Sequence, residues 1–191
     1  MRLCVAILVL SETAAAATPH ERAHRIFRQI VNPRAVAGTL GSAAIGTARN
    51  VPHEWGGGPA GFAKRAGSAF GHHVVKGAVE LGVSAWHHEN LHYQRSDLQG
   101  NWPRLKYAVK STFIVPRTNG PGKTVALGRV SGNLGAGLIS RAWQPASTAG
   151  VGAGLASGGI GLGLDVGANV AREFWPRKKL KQRRQAALTR P

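Results

Sequence analysis

Apolar side chains recur at helical spacing along most of the chain, and Pro, Gly and Asn separate the segments that carry them. The longest regular segment begins at Pro59 and runs to about His88, with apolar and polar residues on opposite faces. Positions three or four apart lie on one face of a helix, so the pattern predicts one long helix. Segments 124–142 and 147–174 are more uniformly apolar, and each is predicted to be a further helix.

The remaining segments give weaker signals. Thr18 is a candidate N-cap with Pro19 at the first helical position, which predicts a helix there. Residues 33–50 form a second short apolar segment. Residues 90–106 are predicted to be mostly loop, and residues 105–115 fit either a short helix or a strand.

Small residues fall four apart in four of the predicted helices. The rows are Gly38, Ser42 and Gly46; Ala63, Gly67 and Gly71; Gly128, Gly132, Ala136 and Ser140; and Gly159, Gly163, Gly167 and Ala171, with a second row of Gly150, Gly154 and Gly158. Each glycine costs a helix about 0.8–1.0 kcal/mol against alanine, and close helix–helix approach is the usual compensation. We therefore predict an all-α bundle packed through Gly and Ala and associated with a membrane.

A β-barrel is the alternative fold. The stretch "GGIGLGLDVG" alternates Gly with Ile160, Leu162, Leu164 and Val166, as a barrel strand would. That alternation covers one segment, whereas the spacing of four covers all the rows, so helices are favoured.

Membrane contact is indicated by length and by tryptophan placement. Residues 147–164 are uncharged over a stretch near the minimum spanning length, and Asp165 follows as a predicted solvated or capped carboxylate. Four tryptophans sit beside Pro or Gly at segment ends, where interfacial anchoring and packing under loops are equally good explanations. These are Trp55, Trp102, Trp143 and Trp175.

The charge balance is strongly basic, with 25 Lys and Arg against 8 Asp and Glu and a formal net charge of +17. Such a chain favours anionic partners, either an anionic membrane surface or nucleic acid. Part of the excess lies in residues 177–191, a basic tail predicted to be disordered. Its basic residues are Arg177, Lys178, Lys179, Lys181, Arg183, Arg184 and Arg190.

The N-terminus has the layout of a secretory signal. One basic residue precedes an apolar run from Leu3 to Leu10 and an Ala-rich stretch that ends near Ala17. Residues 1–17 are therefore a predicted signal peptide, residues 18–176 a single helical domain, and the protein is expected in the periplasm or cell envelope. The single Cys4 excludes an internal disulfide.

The stretch "HHENLH" spells the zinc-hydrolase motif, with His88 and His92 as candidate ligands and Glu89 as candidate catalytic base. That motif needs a continuous helix, yet Asn90 is a plausible helix cap and a polar loop follows it. No downstream acidic residue stands in a recognisable third-ligand motif, and Glu173 could equally be a last-turn surface residue. We therefore predict no catalytic residue, cofactor or metal, and keep a zinc metallopeptidase as an alternative.

Five histidines, the two of that motif included, are predicted to be polar-face and helix-end residues, with adventitious or regulatory metal binding as the second interpretation and zinc catalysis as the third. The histidines in question are His72, His73, His87, His88 and His92.

Several strings resemble a family of small, uncharacterised, signal-bearing bacterial proteins. They are "HEWGGG", "GFAKR", "FGHHVVKG", "HHENLHY", "NWPRLKYAVKSTF", "SRAWQP" and "DVGANVAREFWP", and the resemblance covers residues 20–176. The family has no assigned activity and so implies no catalytic residues. Its members usually carry an acidic residue at the position of Asn90 and a basic one at His92, and they end before the basic tail.

The predicted function is that of an envelope or membrane-associated helical protein with no enzymatic role. It would contact anionic lipid or another envelope component, and a homo-oligomer is compatible with the small-residue rows. The alternatives are the zinc metallopeptidase and a nucleic-acid-binding protein that uses the basic tail.

Overall fold

A computed structural model describes residues 32–175, and this part of the chain is predominantly helical, which confirms the all-α prediction. The elements are α1 (Pro33–Ala48), α2 (Gly58–Trp86), α3 (Asn101–Phe113), β1 (Ile114–Pro116), β2 (Lys123–Val125), α4 (Leu127–Ile139) and α5 (Val151–Phe174), with short 3-10 turns at His53–Trp55, Ser140–Trp143 and Ala146–Thr148. The predicted signal peptide, the helix from Thr18 and the basic tail lie outside the described residues.

The chain divides into two compact units, residues 1–74 and 75–191. In the first unit, Asn32 caps α1 by accepting a hydrogen bond from the amide of Ala35 at 3.0 Å, and Pro33 occupies the first helical position. The loop after α1 folds around the buried side chain of Arg65. Its guanidinium donates hydrogen bonds to the carbonyl oxygens of Val51 at 2.9 Å and Gly56 at 2.7 Å. One side chain thus supplies hydrogen-bond donors to two backbone carbonyl groups of the loop.

The second unit holds the end of α2, then α3, the two short strands, α4 and α5. The strands pair antiparallel, with Ile114 opposite Val125 and Val115 opposite Thr124. The segment that alternates Gly with Ile160, Leu162 and Leu164 is helical within α5. The strand interpretation of that segment is therefore wrong. Of its glycines, Gly158 and Gly161 contact α4.

Helix α3 begins earlier than the sequence indicates. Its first residue is Asn101, inside the predicted loop, after Gly100 with a φ of 88°. Pro103 lies in the first turn, where its missing N–H group has no acceptor to lose. Residues 105–115, which fit either a helix or a strand by sequence, are helical as far as Phe113 and form a strand from Ile114 onward.

Glycines bring α4 against both α2 and α5. A Cβ atom on Gly132 would lie 2.8 Å from Cβ of Glu80, and one on Gly158 would lie 2.9 Å from the carbonyl oxygen of Asn133. Gly137 and Gly154 also meet backbone to backbone. Larger side chains at these positions would push the helices apart.

Other glycines in the predicted rows have no such neighbour. An added Cβ would meet nothing within 4 Å at Gly38, Gly67, Gly159, Gly163 and Gly167. In α5 the contact row is therefore the one that contains Gly154 and Gly158, and the row from Gly159 faces outward. The close-approach prediction is confirmed for α4 and for one row of α5, and it is wrong for the other row.

Candidate functional site

Polar side chains fill the interior of the second unit. The largest side chains with less than 2% exposure are Glu173, Asn133, Asn169, Thr112 and Ser140. Its buried apolar residues are small, mainly alanines. Soluble proteins usually show the opposite distribution, with large aliphatic side chains inside.

Glu173, on the last turn of α5, forms the most highly connected of these polar sites. Its carboxylate accepts hydrogen bonds from the Tyr93 hydroxyl at 2.7 Å and from the Ser96 hydroxyl at 2.6 Å. Nε of Arg104 on α3 donates to the same carboxylate at 3.1 Å, and its Nη2 donates to the Glu173 carbonyl oxygen. The cluster ties α3 and the 93–96 loop to the end of α5.

Burial alone would raise the pKa of the Glu173 carboxyl, but the hydrogen bonds from Ser96, Tyr93 and Arg104 outweigh it and hold the pKa at about 2. The Tyr93 hydroxyl moves the other way. Burial, followed by its hydrogen bond to Glu173, raises the pKa of Tyr93 above its ordinary value. The pair is therefore a fixed carboxylate and a neutral phenol across the physiological range.

A second charge network joins α2, α4 and α5. Nζ of Lys76 lies 2.9 and 2.8 Å from the two carboxylate oxygens of Asp165, and Nδ2 of Asn133 donates to Asp165 at 2.8 Å. Burial raises the pKa of Glu80, the negative charge of Asp165 raises it further, and Lys76 opposes both effects. Asp165 is thus a paired carboxylate within the bundle and not a solvated one.

Arg129 and Glu89 satisfy helix ends. The Arg129 guanidinium donates to the carbonyl oxygen of Thr112 at 2.7 Å, at the carboxyl end of α3. The Glu89 carboxylate accepts from the amide of Gly128 at 3.0 Å, in the first turn of α4, and lies 2.8 Å from Nδ1 of His87. A negative charge at this position interacts favourably with the helix dipole.

The stretch from His88 to His92 is not helical. Helix α2 ends at Trp86, His88 has a φ of 55°, and Glu89 forms a β-bridge with Arg117. The helical spacing that would place His88 and His92 on one face is therefore missing, and Glu89 is engaged by α4. Within residues 32–175, no group of three or more His, Cys, Asp or Glu side chains is arranged to hold a metal ion.

Helix α5 exposes large apolar side chains along its length. Ile160 is 66% and Leu164 is 70% exposed, and Val151 and Leu155 precede them on the exposed surface. The helix is long and apolar enough to cross a membrane by length and composition, with a mean hydropathy of 1.3, and only 11% of its most apolar stretch is buried.

Three of the four tryptophans at segment ends, and Trp86 with them, have exposed side chains. Trp175 at the end of α5 is 63% exposed, and Trp102 at the start of α3 is also exposed, as is Trp143 after α4. Trp55 is only half-buried. Exposure favours interfacial anchoring over packing under loops for the exposed ones.

Sequence reasoning missed the polar interior. The interpretation of Glu173 as a last-turn surface residue is wrong, because its side chain is 1% exposed. The available signal was its place in the string "REFWP", next to two aromatic residues. Arg129 and Asn133 stand among small residues in α4, and this local pattern does not indicate that their side chains are buried.

No protein-family model, curated protein or solved structure matches this chain. The resemblance to the signal-bearing bacterial family therefore stays a prediction.

Proposed function

We propose that this is a membrane-associated helical protein of the cell envelope with no enzymatic role, and that the exposed apolar side chains of α5, Ile160 among them, lie in an anionic membrane. The observation that carries the proposal is the inverted distribution of side chains in the second unit. Glu173, Asn133 and Asn169 are buried, while Val151, Ile160 and Leu164 are exposed. In water that arrangement leaves apolar area unburied, and in lipid it does not.

Partial embedding fits the lengths of the helices better than a complete crossing. Helices α3 and α4 have 13 residues each, about 20 Å, against a hydrocarbon core about 30 Å thick. Among the helices of residues 32–175, only α5, with 24 residues, is both long enough and apolar enough to span a membrane. Helix α2 is longer, at 29 residues, but does not have the apolar composition. The second unit is therefore proposed to rest in one side of the membrane, with exposed tryptophans at the level of the head groups.

Charge supports an anionic lipid as the partner. A net charge of +17 attracts the chain to a negatively charged surface, and each basic residue near such a surface contributes about 1 kcal/mol. Apolar contact and electrostatic attraction together give stable anchoring where either alone is marginal.

The test is flotation of the purified full chain with vesicles of phosphatidylcholine and phosphatidylglycerol in equal parts. Ile160→Gln should weaken vesicle binding about tenfold, because two thirds of an isoleucine side chain then fails to enter lipid. The control is Ile160→Leu, which keeps the apolar surface and should bind as the wild type does.

Both variants should keep the circular dichroism spectrum and the stability of the wild type, since Ile160 packs against little within the chain. Equal vesicle affinity for Ile160→Gln and Ile160→Leu would overturn the proposal that this face contacts lipid.

A further inference from the structure

An open pocket of about 370 Å³ lies at the end of the second unit, beside the Glu173 cluster. Its walls are Arg95, Ser96, Asp97, Leu98, Arg104, Phe174 and Trp175. Two of these side chains are guanidinium groups, and three are apolar groups with exposed surface. A pocket with this lining suits a ligand that has a charged end and an apolar remainder.

The two arginines are not equally occupied. Arg104 uses Nε and Nη2 on Glu173, and its guanidinium stacks 4.6 Å from the centre of the Phe174 ring. Nη1 of Arg104 makes no hydrogen bond within residues 32–175. Arg95 is half-buried, and its guanidinium has neither a hydrogen bond nor an ion pair with any other described residue.

The two carboxylates near the pocket, those of Glu173 and Asp97, also differ in their hydrogen bonding. The Glu173 carboxylate accepts hydrogen bonds from Tyr93, Ser96 and Arg104. Asp97 is an exposed residue on the wall and has interactions of its own. Among the guanidinium nitrogens of the pocket, those of Arg95 and Nη1 of Arg104 have no hydrogen bond to another residue of the described part of the chain, and this arrangement favours an anion. The positive field of the whole chain adds to this preference.

We propose that this pocket binds the phosphate group of an anionic lipid, with Arg95 and Nη1 of Arg104 as donors. Guanidinium groups match phosphate oxygens by charge and by geometry. The apolar rim of Leu98, Phe174 and Trp175 would receive the glycerol and the start of the acyl chains. The lipid source rests on the proposed membrane association, whereas the phosphate chemistry of the pocket does not.

The first experiment uses a soluble ligand, glycerol phosphate, with the full chain. Addition of glycerol phosphate should shift the NMR signal of the Trp175 indole N–H group, which a Trp175→Phe variant assigns. Arg95→Gln should weaken this binding about tenfold or more, because a charge-assisted hydrogen bond is lost. Asp97→Asn should strengthen it roughly threefold by removing a nearby negative charge.

Arg117→Gln is the matched control, since it removes one positive charge from an exposed position outside the pocket. Glycerol phosphate should bind this variant within about twofold of the wild type. Arg95 takes no part in the Glu173 hydrogen bonds, so Arg95→Gln should fold normally, and an unchanged Tyr93–Glu173 environment by NMR would verify this.

The second experiment repeats the series on vesicles of phosphatidylcholine and phosphatidylglycerol in equal parts. Arg95→Gln should lose more vesicle affinity than Arg117→Gln does. Equal losses, or no Trp175 shift with glycerol phosphate, would overturn the pocket while leaving membrane association intact. A Trp175 shift without any vesicle binding would overturn the lipid source and the proposed function, and would assign the pocket to free phosphate compounds.

Discussion

At the residue scale, the charged side chains inside the second unit are paired: Glu173 is buried, and the Lys76–Asp165 pair is half-buried. Glu173 accepts from Tyr93, Ser96 and Arg104, and Asp165 pairs with Lys76. Breaking a buried pair by removing one partner is far more damaging than losing a surface pair, because the remaining charge has no water around it. Point changes at these positions should therefore act on stability.

Glu173→Gln should lower the free energy of unfolding by on the order of 3 kcal/mol at neutral pH. The folded pKa of Glu173 is about 2 against an ordinary value of 4.5, so its ionised form is stabilised by folding. That stabilisation is complete above pH 4.5 and is lost as the pH falls toward 2. Denaturant titrations at a series of acidic pH values would measure it.

Comparing the wild type with Glu173→Gln separates the contribution of Glu173 to the pH dependence of stability from the contributions of other carboxyl groups. Glu80, whose pKa is raised by burial, favours the folded state at low pH and so opposes Glu173 in the wild-type profile. Subtracting the Glu173→Gln profile removes the Glu80 contribution. Asp97→Asn, at an exposed carboxylate, should change the free energy of unfolding by less than about 0.5 kcal/mol. Equally flat pH profiles of the unfolding free energy for Asp97→Asn and Glu173→Gln would contradict the low pKa assigned to Glu173.

At the element scale, glycines let the backbones of α4 and α5 approach closely, beside the polar side-chain contacts between the helices. Gly137 and Gly154 meet directly, and Gly158 packs on the backbone of Asn133 and Leu134. The outward row from Gly159 to Gly167 has no such partner, so the same residue type has two different roles on one helix.

Gly158→Ala should destabilise the protein by about 1–3 kcal/mol, because its Cβ would lie 2.9 Å from the Asn133 carbonyl oxygen and from Cα of Leu134. Gly163→Ala is the matched change on the same helix, with nothing within 4 Å. It should stabilise by up to about 1 kcal/mol through helix propensity. Thermal unfolding of both variants decides the matter, and equal effects of the two would contradict the contact row.

The helices themselves could be predicted from the sequence, because apolar spacing and Pro or Gly boundaries are local signals. Helix α3 was the exception, since its first turn lies in a polar stretch with Trp102 and Pro103 that resembles a loop. Which glycine row of α5 makes the contact was not predictable. Both rows have the same spacing, and the choice depends on α4, which a local pattern does not contain.

At the scale of the whole molecule, charge and apolar surface act together. The candidate site was the least predictable part from sequence, because Arg95, Arg104 and Glu173 are far apart in the chain and meet only through α3 and α5. The strong basic charge was readable at once, but it does not distinguish a lipid partner from nucleic acid.

Deletion of residues 177–191 should weaken binding to anionic vesicles at least about a hundredfold, since it removes seven basic residues. The nucleic-acid alternative predicts instead a strongly salt-dependent affinity for DNA or RNA that the deletion abolishes. Ile160→Gln separates the two, because it should reduce vesicle binding and leave any nucleic-acid binding unchanged. Fluorescence anisotropy with a labelled oligonucleotide and vesicle flotation would measure both, with the full-length chain as the reference.

The polar interior also bears on how this protein tolerates its surroundings. Contacts such as Lys76 with Asp165 and Tyr93 with Glu173 are completed inside the bundle, and they owe little to what lies beyond the outer face. Exchanging water for hydrocarbon around α5 would leave these bonds in place and, by lowering the local dielectric constant, strengthen them. The same internal hydrogen bonds would therefore fit the chain both in water and in the proposed lipid surroundings.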